Sequence, residues 1–191
     1  GIDPVPIACQ MVQGFQTIIT RNKKPVDAGV ISVTMIHAGE ATNVVPDSCE
    51  LQGTVRTFSI EVLDLIEKRM QQVAESICAA FDAQCEFEFH RNYPPTINSP
   101  AEAEFARKVM GGIVGAEQVM HQEPTMGAED FSFMLQAKRG AYLRVGQGAV
   151  DGPGPYPLHN SRYDFNDDVL PLGAALHASL VDHGMPLTES A

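Results

Sequence analysis

The sequence predicts an α/β protein in two parts, the first of which has a split βαβ arrangement that lacks its first strand. Three observations lead to this prediction. In the first 90 residues, helical and strand-like patterns follow the order helix, strand, strand, helix, strand. The stretch from Asn92 to Asn98 contains Pro94-Pro95, which interrupts both patterns. Beyond it, helical stretches and short apolar stretches alternate again.

Composition and charge limit the classes of function. The 191 residues are 44% hydrophobic and 19% charged, with a formal net charge of −11 at pH 7. Nucleic-acid phosphates and anionic membrane surfaces repel such a chain, so we expect a small-molecule partner and neither nucleic acid nor membrane. No apolar run reaches the length of a membrane span, and no signal-like segment opens the chain, which favours a cytoplasmic protein. Residue 1 is Gly rather than Met, so we expect residues to precede it.

The four cysteines, Cys9, Cys49, Cys78 and Cys85, lack the CxxC spacing of metal sites and have apolar neighbours. We therefore expect buried thiols in a reducing compartment.

The first helix is predicted to begin at Asp3, which acts as N-cap, with Pro4 in the first helical position. Its apolar residues recur at helical spacing: Ala8, Val12, Phe15 and Ile19. A β-branched run from Val30 to His37 predicts a strand, and alternating apolar and polar residues from Ser48 to Thr57 predict a second strand.

A long helix follows, capped by Ser59, with an apolar stripe at steps of three and four residues: Leu63, Ile66, Met70, Val73, Ile77 and Phe81. Residues 85–90 alternate again and predict a third strand. A sheet that is short of one strand exposes an edge, so we infer that residues before Gly1 supply the missing strand.

The second part begins with a capping box, Ser99-Pro100-Ala101-Glu102, that predicts a helix ending at Gly115. Short strands are predicted at Gln118–His121 and Ala141–Gly146. Another helix is predicted to start at Met126–Phe131, where two acids stabilise the helix dipole.

The last helix is predicted to be capped by Asp167 or Asp168. It has three inward-facing leucines: Leu172, Leu176 and Leu180. A loop is predicted before it, from Gln147 to Pro157, and a frayed tail after it, at residues 184–191.

One imidazole, His159, lies between the Pro/Gly-rich loop and this last helix. A neutral imidazole is the commonest protein ligand of zinc, and a loop can aim it into a cleft. A single histidine without a partner at ligand spacing more often makes an ordinary hydrogen bond. On its residues alone, both interpretations of His159 stay open.

Four segments occur in an order that resembles one known family. They are Ala38-Gly39-Glu40-Ala41-Thr42-Asn43-Val44-Val45-Pro46-Asp47, Gly53-Thr54-Val55-Arg56-Thr57-Phe58, Met126-Gly127-Ala128-Glu129-Asp130-Phe131-Ser132 and Leu158-His159-Asn160. Together they resemble the metal-dependent amidohydrolases among the metallopeptidases, which include hippurate hydrolase, N-acyl-amino-acid amidohydrolases and plant auxin-conjugate hydrolases. The resemblance covers nearly the whole chain, but only the latter part of such a protein.

This resemblance implies a fold and a cofactor. Residues 1–93 would form most of a ferredoxin-like lid or dimerisation domain, and residues 94–191 the C-terminal portion of a zinc-peptidase-like α/β catalytic domain. The intact protein would use a divalent metal, namely zinc, manganese, cobalt or nickel. His159 matches the last metal ligand.

The resemblance also implies substrate-binding residues. Asn43 and Arg56 match lid residues that hold the carboxylate or carbonyl end of the substrate, and a guanidinium is a planar fork suited to a carboxylate. From the residues alone, a turn role for Asn43 and a solvated sheet face for Arg56 are the preferred interpretations. Gly127 and Glu129 match residues that shape the pocket or support the metal ligands.

The implied reaction is hydrolysis of the amide bond of N-acyl amino acids, with the metals activating water and a glutamate moving the proton. The family's catalytic glutamate and its other metal ligands precede the lid and have no match here. We therefore predict no catalytic residue in this chain, and expect it alone to be inactive and to hold no metal. The alternative is a non-enzymatic dimerisation or small-ligand-binding module built on the ferredoxin-like sheet. A homodimer through the lid is compatible with either function.

Overall fold

A computed structural model describes residues 1–148 and 155–185. The chain forms two compact units: Gly1–Thr96 with Thr125–Ser132, and Ile97–Pro124 with the described residues of Phe133–Ala191. The assignment of residues 1–93 to a lid and of residues 94–191 to a catalytic domain stays a prediction. Across the described part of the chain, no helix is both long enough and apolar enough to cross a membrane.

The regular structure of the described residues consists of five α-helices and two β-strands. In chain order these are α1 (Pro4–Thr17), β1 (Gly29–His37), β2 (Glu50–Thr57), α2 (Ile60–Ala80), α3 (Pro100–Val114), α4 (Phe131–Ala137) and α5 (Leu170–Gly184). A wider π-helical turn, Ile18–Asn22, continues α1, and short 3₁₀ turns occupy Ala116–Gln118 and Asp167–Val169.

Two of the predicted helix caps are confirmed by their hydrogen bonds. The carboxylate of Asp3 accepts a hydrogen bond from the backbone N–H of Val5 at 2.9 Å, with Pro4 as the first residue of α1. The hydroxyl of Ser59 accepts one from the N–H of Val62 at 3.2 Å and so caps α2.

The two strands form an antiparallel hairpin whose register runs from Gly29 opposite Thr57 to His37 opposite Glu50. The pairing shifts by one residue between Val33 and Met35, as in a β-bulge. Gly53 lies opposite this irregularity, where an added Cβ would be 2.2 Å from the backbone oxygen of Ser32. Only a residue without a Cβ fits at this point of β2.

The core of the first unit lies between the hairpin and the helices α1 and α2. Its buried members are Ile7, Met11, Phe15, Ile18, Ile31, Val62, Ile66, Ala74 and Cys78. The two helices approach closely at Gly14, where an added Cβ would be 3.0 Å from Cγ1 of Val73. The predicted apolar stripe of α2 is confirmed, because Ile66 is buried and Met70, Val73 and Ile77 pack against the same core. Phe81, at its end, is 41% exposed.

The predicted third strand at residues 85–90 is wrong, because the sheet of the described residues contains only β1 and β2. The alternation of the segment nevertheless persists: Cys85, Phe87 and Phe89 are half-buried, and the residues between them are exposed. In a split βαβ sheet the last strand pairs with the first one, and this chain begins with a helix instead. The segment therefore has the side-chain pattern of a strand, and no strand of the described residues pairs with it.

The segment is attached to α2 at its far end by Arg91. The guanidinium contacts Asp64 at 2.6 Å and Glu67 through Nε at 2.8 Å, and these hydrogen bonds raise the pKa of Arg91. A ferredoxin-like lid stays a prediction, since the described residues establish mixed helices with a small antiparallel sheet.

The second unit is built around α3 and α5, with Ala106, Val109 and Leu176 buried. The predicted capping box at Ser99 is wrong, because its hydroxyl makes no cap hydrogen bond. It accepts a hydrogen bond from the N–H of Gly140 at 3.3 Å, while the N–H of Ser99 donates to the Gly140 carbonyl at 2.9 Å. The hydroxyl that the local pattern predicted to cap the helix therefore bonds to a residue 41 positions away.

Three further expectations for the second part of the chain are corrected by the structure. Residues 118–121 and 141–146 are not strands, because the sheet of the described residues contains only β1 and β2. The helix predicted from Met126 begins only at Phe131. Neither Asp167 nor Asp168 caps α5, because its N-cap residue is Val169, which makes no side-chain cap hydrogen bond. Asn166 caps the preceding 3₁₀ turn by accepting from the N–H of Asp168 at 3.1 Å.

Leu176 of the last helix is buried and Leu172 and Leu180 are half-buried, as predicted. Part of the predicted loop, residues 149–154, and the tail from residue 186 lie outside the described residues.

The expectation of four buried thiols is wrong for three of them. Cys78 is buried, Cys49 and Cys85 are half-buried, and Cys9 is exposed. The apolar neighbours of Cys9 in sequence face the core on the other side of α1, which a linear pattern does not distinguish.

Candidate functional site

The first candidate residue, Asn43, lies in the loop that joins β1 to β2. A surface depression of about 710 Å³ is lined by residues 38–46 together with Asp3 and Val5 at the start of α1. Gly39 has a φ of +71°, which glycine adopts without strain. The side chain of Asn43 is exposed in this loop.

The second candidate, Arg56, lies near the end of β2, opposite Val30 of β1. Its side chain is exposed, and Nη1 donates a hydrogen bond to the carbonyl of Val55 at 3.0 Å. Val55 packs against the core while Arg56 points to the opposite face, as the alternation of β2 predicted.

Asn43 and Arg56 lie at opposite ends of the hairpin. The loop of Asn43 follows the pair His37–Glu50, six residues along β2 from Arg56, which is roughly 20 Å at the rise of an extended strand. The positions of the helices agree with this description of the hairpin, because the loop that contains Asn43 lies beside the start of α1. The Gly29 end of the hairpin instead contacts Ile66 and Val62 of α2. Arg56 and the loop of Asn43 therefore lie toward opposite ends of the hairpin.

Glu129 and Gly127 lie in the segment Thr125–Ser132, which belongs to the first unit. The backbone carbonyl of Glu129 accepts hydrogen bonds from the hydroxyl and the N–H of Ser132, at 2.6 and 3.2 Å. Ser132 is only 1% exposed, so it fixes the backbone of Glu129 from a buried position. An added Cβ on Gly127 would meet only the hydroxyl of Thr125, at 3.9 Å.

His159 lies in the second unit, in a tight turn, and its backbone φ of +70° is unusual. The left-handed region costs a non-glycine residue roughly 1–2 kcal/mol. Asn160 holds the turn after it, because its side chain accepts from the N–H of Arg162 at 2.9 Å and its carbonyl from the N–H of Tyr163 at 2.9 Å. The imidazole is exposed.

Gln147 anchors the stretch that follows His159. Its carbonyl accepts from the Asn166 side chain at 2.7 Å, and its Oε1 accepts from the hydroxyl of Tyr163 at 3.2 Å. The guanidinium of Arg162 lies 4.4 Å from the ring centre of Tyr156. Sequence reasoning missed Gln147, because its partners are 16 and 19 residues away and no local pattern marks them.

The described residues do not form a metal site by themselves. Within residues 1–148 and 155–185, no three His, Cys, Asp or Glu side chains lie close enough together to hold one ion. His159 is therefore a single candidate ligand, whereas a hydrolytic zinc site takes about three protein ligands.

Comparison with known proteins adds to this geometry. Residues 8–183 match the family described as Peptidase family M20/M25/M40. Thermostable carboxypeptidase 1 of Saccharolobus solfataricus is 37% identical over 180 residues, which cover 94% of this chain and 45% of that protein. IAA-amino acid hydrolase ILR1-like 4 of Arabidopsis thaliana is 34% identical, with coverage of 94% of this chain and 42% of that protein.

A solved structure is similar as well. The YXEP protein of Bacillus subtilis, described as a dinuclear metal binding peptidase from the M20 family, has a TM-score of 0.79 at 28% identity. The match covers 98% of this chain and 47% of that one. The chain thus spans less than half the length of the relatives it matches. Because the family match extends over nearly all of its residues, the chain belongs to peptidase family M20/M25/M40, whose members matched here are named as hydrolytic enzymes.

Proposed function

We propose that the intact protein is a divalent-metal-dependent amidohydrolase that cleaves the amide bond of N-acyl amino acids, including hippurate-like substrates. The observation that carries this proposal is the family match over residues 8–183, a range that includes every candidate site residue. One relative is named as a hydrolase of an amino acid conjugate, and a similar structure is described as a dinuclear metal binding peptidase.

Arg56 supplies the charge that this substrate class requires. An N-acyl amino acid carries a free carboxylate, and an exposed guanidinium can bind both of its oxygens in parallel. Asn43 supplies an amide that can bind a carbonyl or carboxylate oxygen. Gly127 and Glu129 shape the pocket from the segment that Ser132 fixes.

His159 serves as one metal ligand in the intact protein. Its strained backbone supports this role, because a costly conformation persists where the surrounding structure holds it in place, often at a functional site. The remaining ligands and the glutamate that moves the proton come from residues outside this chain. The 191-residue chain alone is therefore inactive.

Residues 1–93 act as a ferredoxin-like lid that also dimerises, and residues 94–191 belong to the catalytic domain. This division follows the family resemblance of the four ordered segments. It leaves the substrate-binding residues Asn43 and Arg56 on the lid and the metal ligand His159 on the catalytic domain.

The experiment compares hippurate hydrolysis by the intact protein and by the 191-residue chain, each supplied with zinc, manganese, cobalt or nickel. We expect turnover by the intact protein only when metal is present, and none by the chain alone. Failure of the intact protein with every metal and every N-acyl amino acid tried would overturn the proposed function. Metal-dependent turnover by the chain alone would overturn the location of the missing ligands.

Substitutions in the intact protein test the residue roles. His159→Ala should lower the metal content measured by elemental analysis. His177→Ala, at an exposed position of α5, should leave the metal content unchanged.

Arg56→Ala should raise KM for hippurate and change KM little for the uncharged amide of hippurate, because only hippurate has a carboxylate that Arg56 can bind. Equal effects on both substrates would contradict a carboxylate-binding role.

A further inference from the structure

Two cysteines meet at the C-terminal end of α2. Cys78 lies in the last turn and is 5% exposed, and Cys85 follows the turn that ends the helix and is half-buried. The chain reverses tightly between them, with the N–H groups of Phe81 and Ala83 both donating to the Cys78 carbonyl, at 3.0 and 2.9 Å.

The turn brings the two thiols together. The thiol of Cys78 donates a hydrogen bond to the carbonyl of Gln84, the residue next to Cys85, at 3.5 Å. The thiol of Cys85 donates to the carbonyl of Glu86 at 3.8 Å, and both burial and the neighbouring Cys78 raise its pKa. The pair is therefore held at close range by backbone structure in the reduced state.

We propose that Cys78 and Cys85 form a redox pair that a small-molecule disulfide oxidises to an intramolecular disulfide. The thiolate of Cys85, the more exposed of the two, attacks one sulfur of the oxidant and releases one small-molecule thiol. Cys78 then attacks Sγ of Cys85 and releases the second thiol. The two protein thiols lose two protons and two electrons, and the oxidant's disulfide is reduced to two thiols.

Oxidation would fasten the start of segment 85–90 to α2. Among residues 1–148 and 155–185 the segment pairs with no strand, and the ion pairs of Arg91 with Asp64 and Glu67 attach its far end to α2. A covalent link between residues 78 and 85 closes a short loop and removes conformational freedom from the unfolded chain. The reduced and oxidised proteins should consequently differ in stability.

The reaction should depend on pH in a defined direction. Burial raises the pKa of the Cys85 thiol, and the neighbouring Cys78, Glu75 and Glu86 raise it further. A raised pKa leaves less thiolate at neutral pH, so the oxidation rate should be low at pH 7. It should keep increasing as the pH passes the ordinary range of a free thiol.

The test treats the reduced 191-residue chain with oxidised glutathione at alkaline pH, alkylates the remaining thiols and digests the protein with trypsin. Residues 70–91 contain no internal lysine or arginine, so both cysteines fall in one peptide, while Cys9 and Cys49 fall in others. We expect the 70–91 peptide to lose two hydrogen atoms, take up no alkyl group and revert with dithiothreitol. A doubly alkylated peptide, or one that keeps glutathione attached, would overturn the proposal.

Two single variants serve as a matched pair. In Cys85→Ser the amount of disulfide-containing 70–91 peptide should fall to background. In Cys49→Ser this amount should equal that of wild type. Circular dichroism checks that both variants fold. Oxidation should also raise the thermal midpoint of wild type and of Cys49→Ser but not of Cys85→Ser. A thermal unfolding midpoint that complete oxidation leaves unchanged would contradict the proposed attachment of segment 85–90 to α2.

Discussion

Gly53 illustrates how a single residue of a family-like segment can have a purely structural explanation. It lies opposite the β-bulge of β1, and an added Cβ would be 2.2 Å from the oxygen of Ser32 and 2.9 Å from Cα of Val33. Both atoms belong to the backbone, so the strands must separate to admit a methyl group. We expect Gly53→Ala to lower the free energy of unfolding by roughly 1–3 kcal/mol, as overpacking typically does. Chemical denaturation measures this loss.

Gly112 provides the control for this change. It lies within α3, and no atom lies within 4 Å of its hypothetical Cβ. Gly112→Ala should raise stability by roughly 0.5–1 kcal/mol, because alanine loses less backbone entropy in a helix. If both alanine variants changed stability in the same direction, steric contact would not explain Gly53.

At the scale of elements, a side chain takes the place of a strand partner in the second unit. The amide of Asn98 donates to the carbonyl of Tyr142 at 3.0 Å and accepts from its N–H at 2.7 Å. Asn98→Ala removes both hydrogen bonds, so we expect a loss of about 1 kcal/mol, the usual net worth of such bonds at an exposed position. Hydrogen exchange at the Tyr142 amide should accelerate correspondingly.

Asn92→Ala is the matched control, since Asn92 is exposed and precedes the stretch that contacts residues 140–142. It should leave exchange at Tyr142 unchanged. Unaltered exchange in the Asn98 variant would mean that this backbone amide is protected by other contacts.

Helices and strands differed in how far the sequence could predict them. The caps at Asp3 and Ser59 and the apolar face of α2 depend on residues within a few positions, so they were predicted correctly. The strands expected at 85–90, 118–121 and 141–146 depend on distant partners that a local pattern does not reveal. Ser99 shows the same limit, because a partner 41 residues away occupies its hydroxyl.

For the molecule as a whole, the motifs identified the family, but their order along the chain did not give their arrangement in space. The resemblance implied that Asn43 and Arg56 bind the same substrate. In the hairpin, Arg56 lies six residues along β2, roughly 20 Å, from the end that joins the loop of Asn43.

A homodimer through the lid would resolve this separation if the loop of one copy met the Arg56 end of the other. We therefore expect the intact Asn43→Ala and Arg56→Ala proteins to be nearly inactive separately and to regain activity when co-refolded. A mixed dimer then has one site with both residues intact and one with neither. Random pairing at equal amounts should restore roughly a quarter of wild-type activity in a two-fold symmetric dimer.

The control for this mixture is the double variant Asn43→Ala/Arg56→Ala co-refolded with wild type. There each mixed dimer has two half-defective sites, so activity should fall to roughly the quarter contributed by wild-type dimers. The absence of recovery in the mixture of single variants, with dimers confirmed by light scattering, would contradict a site shared between copies.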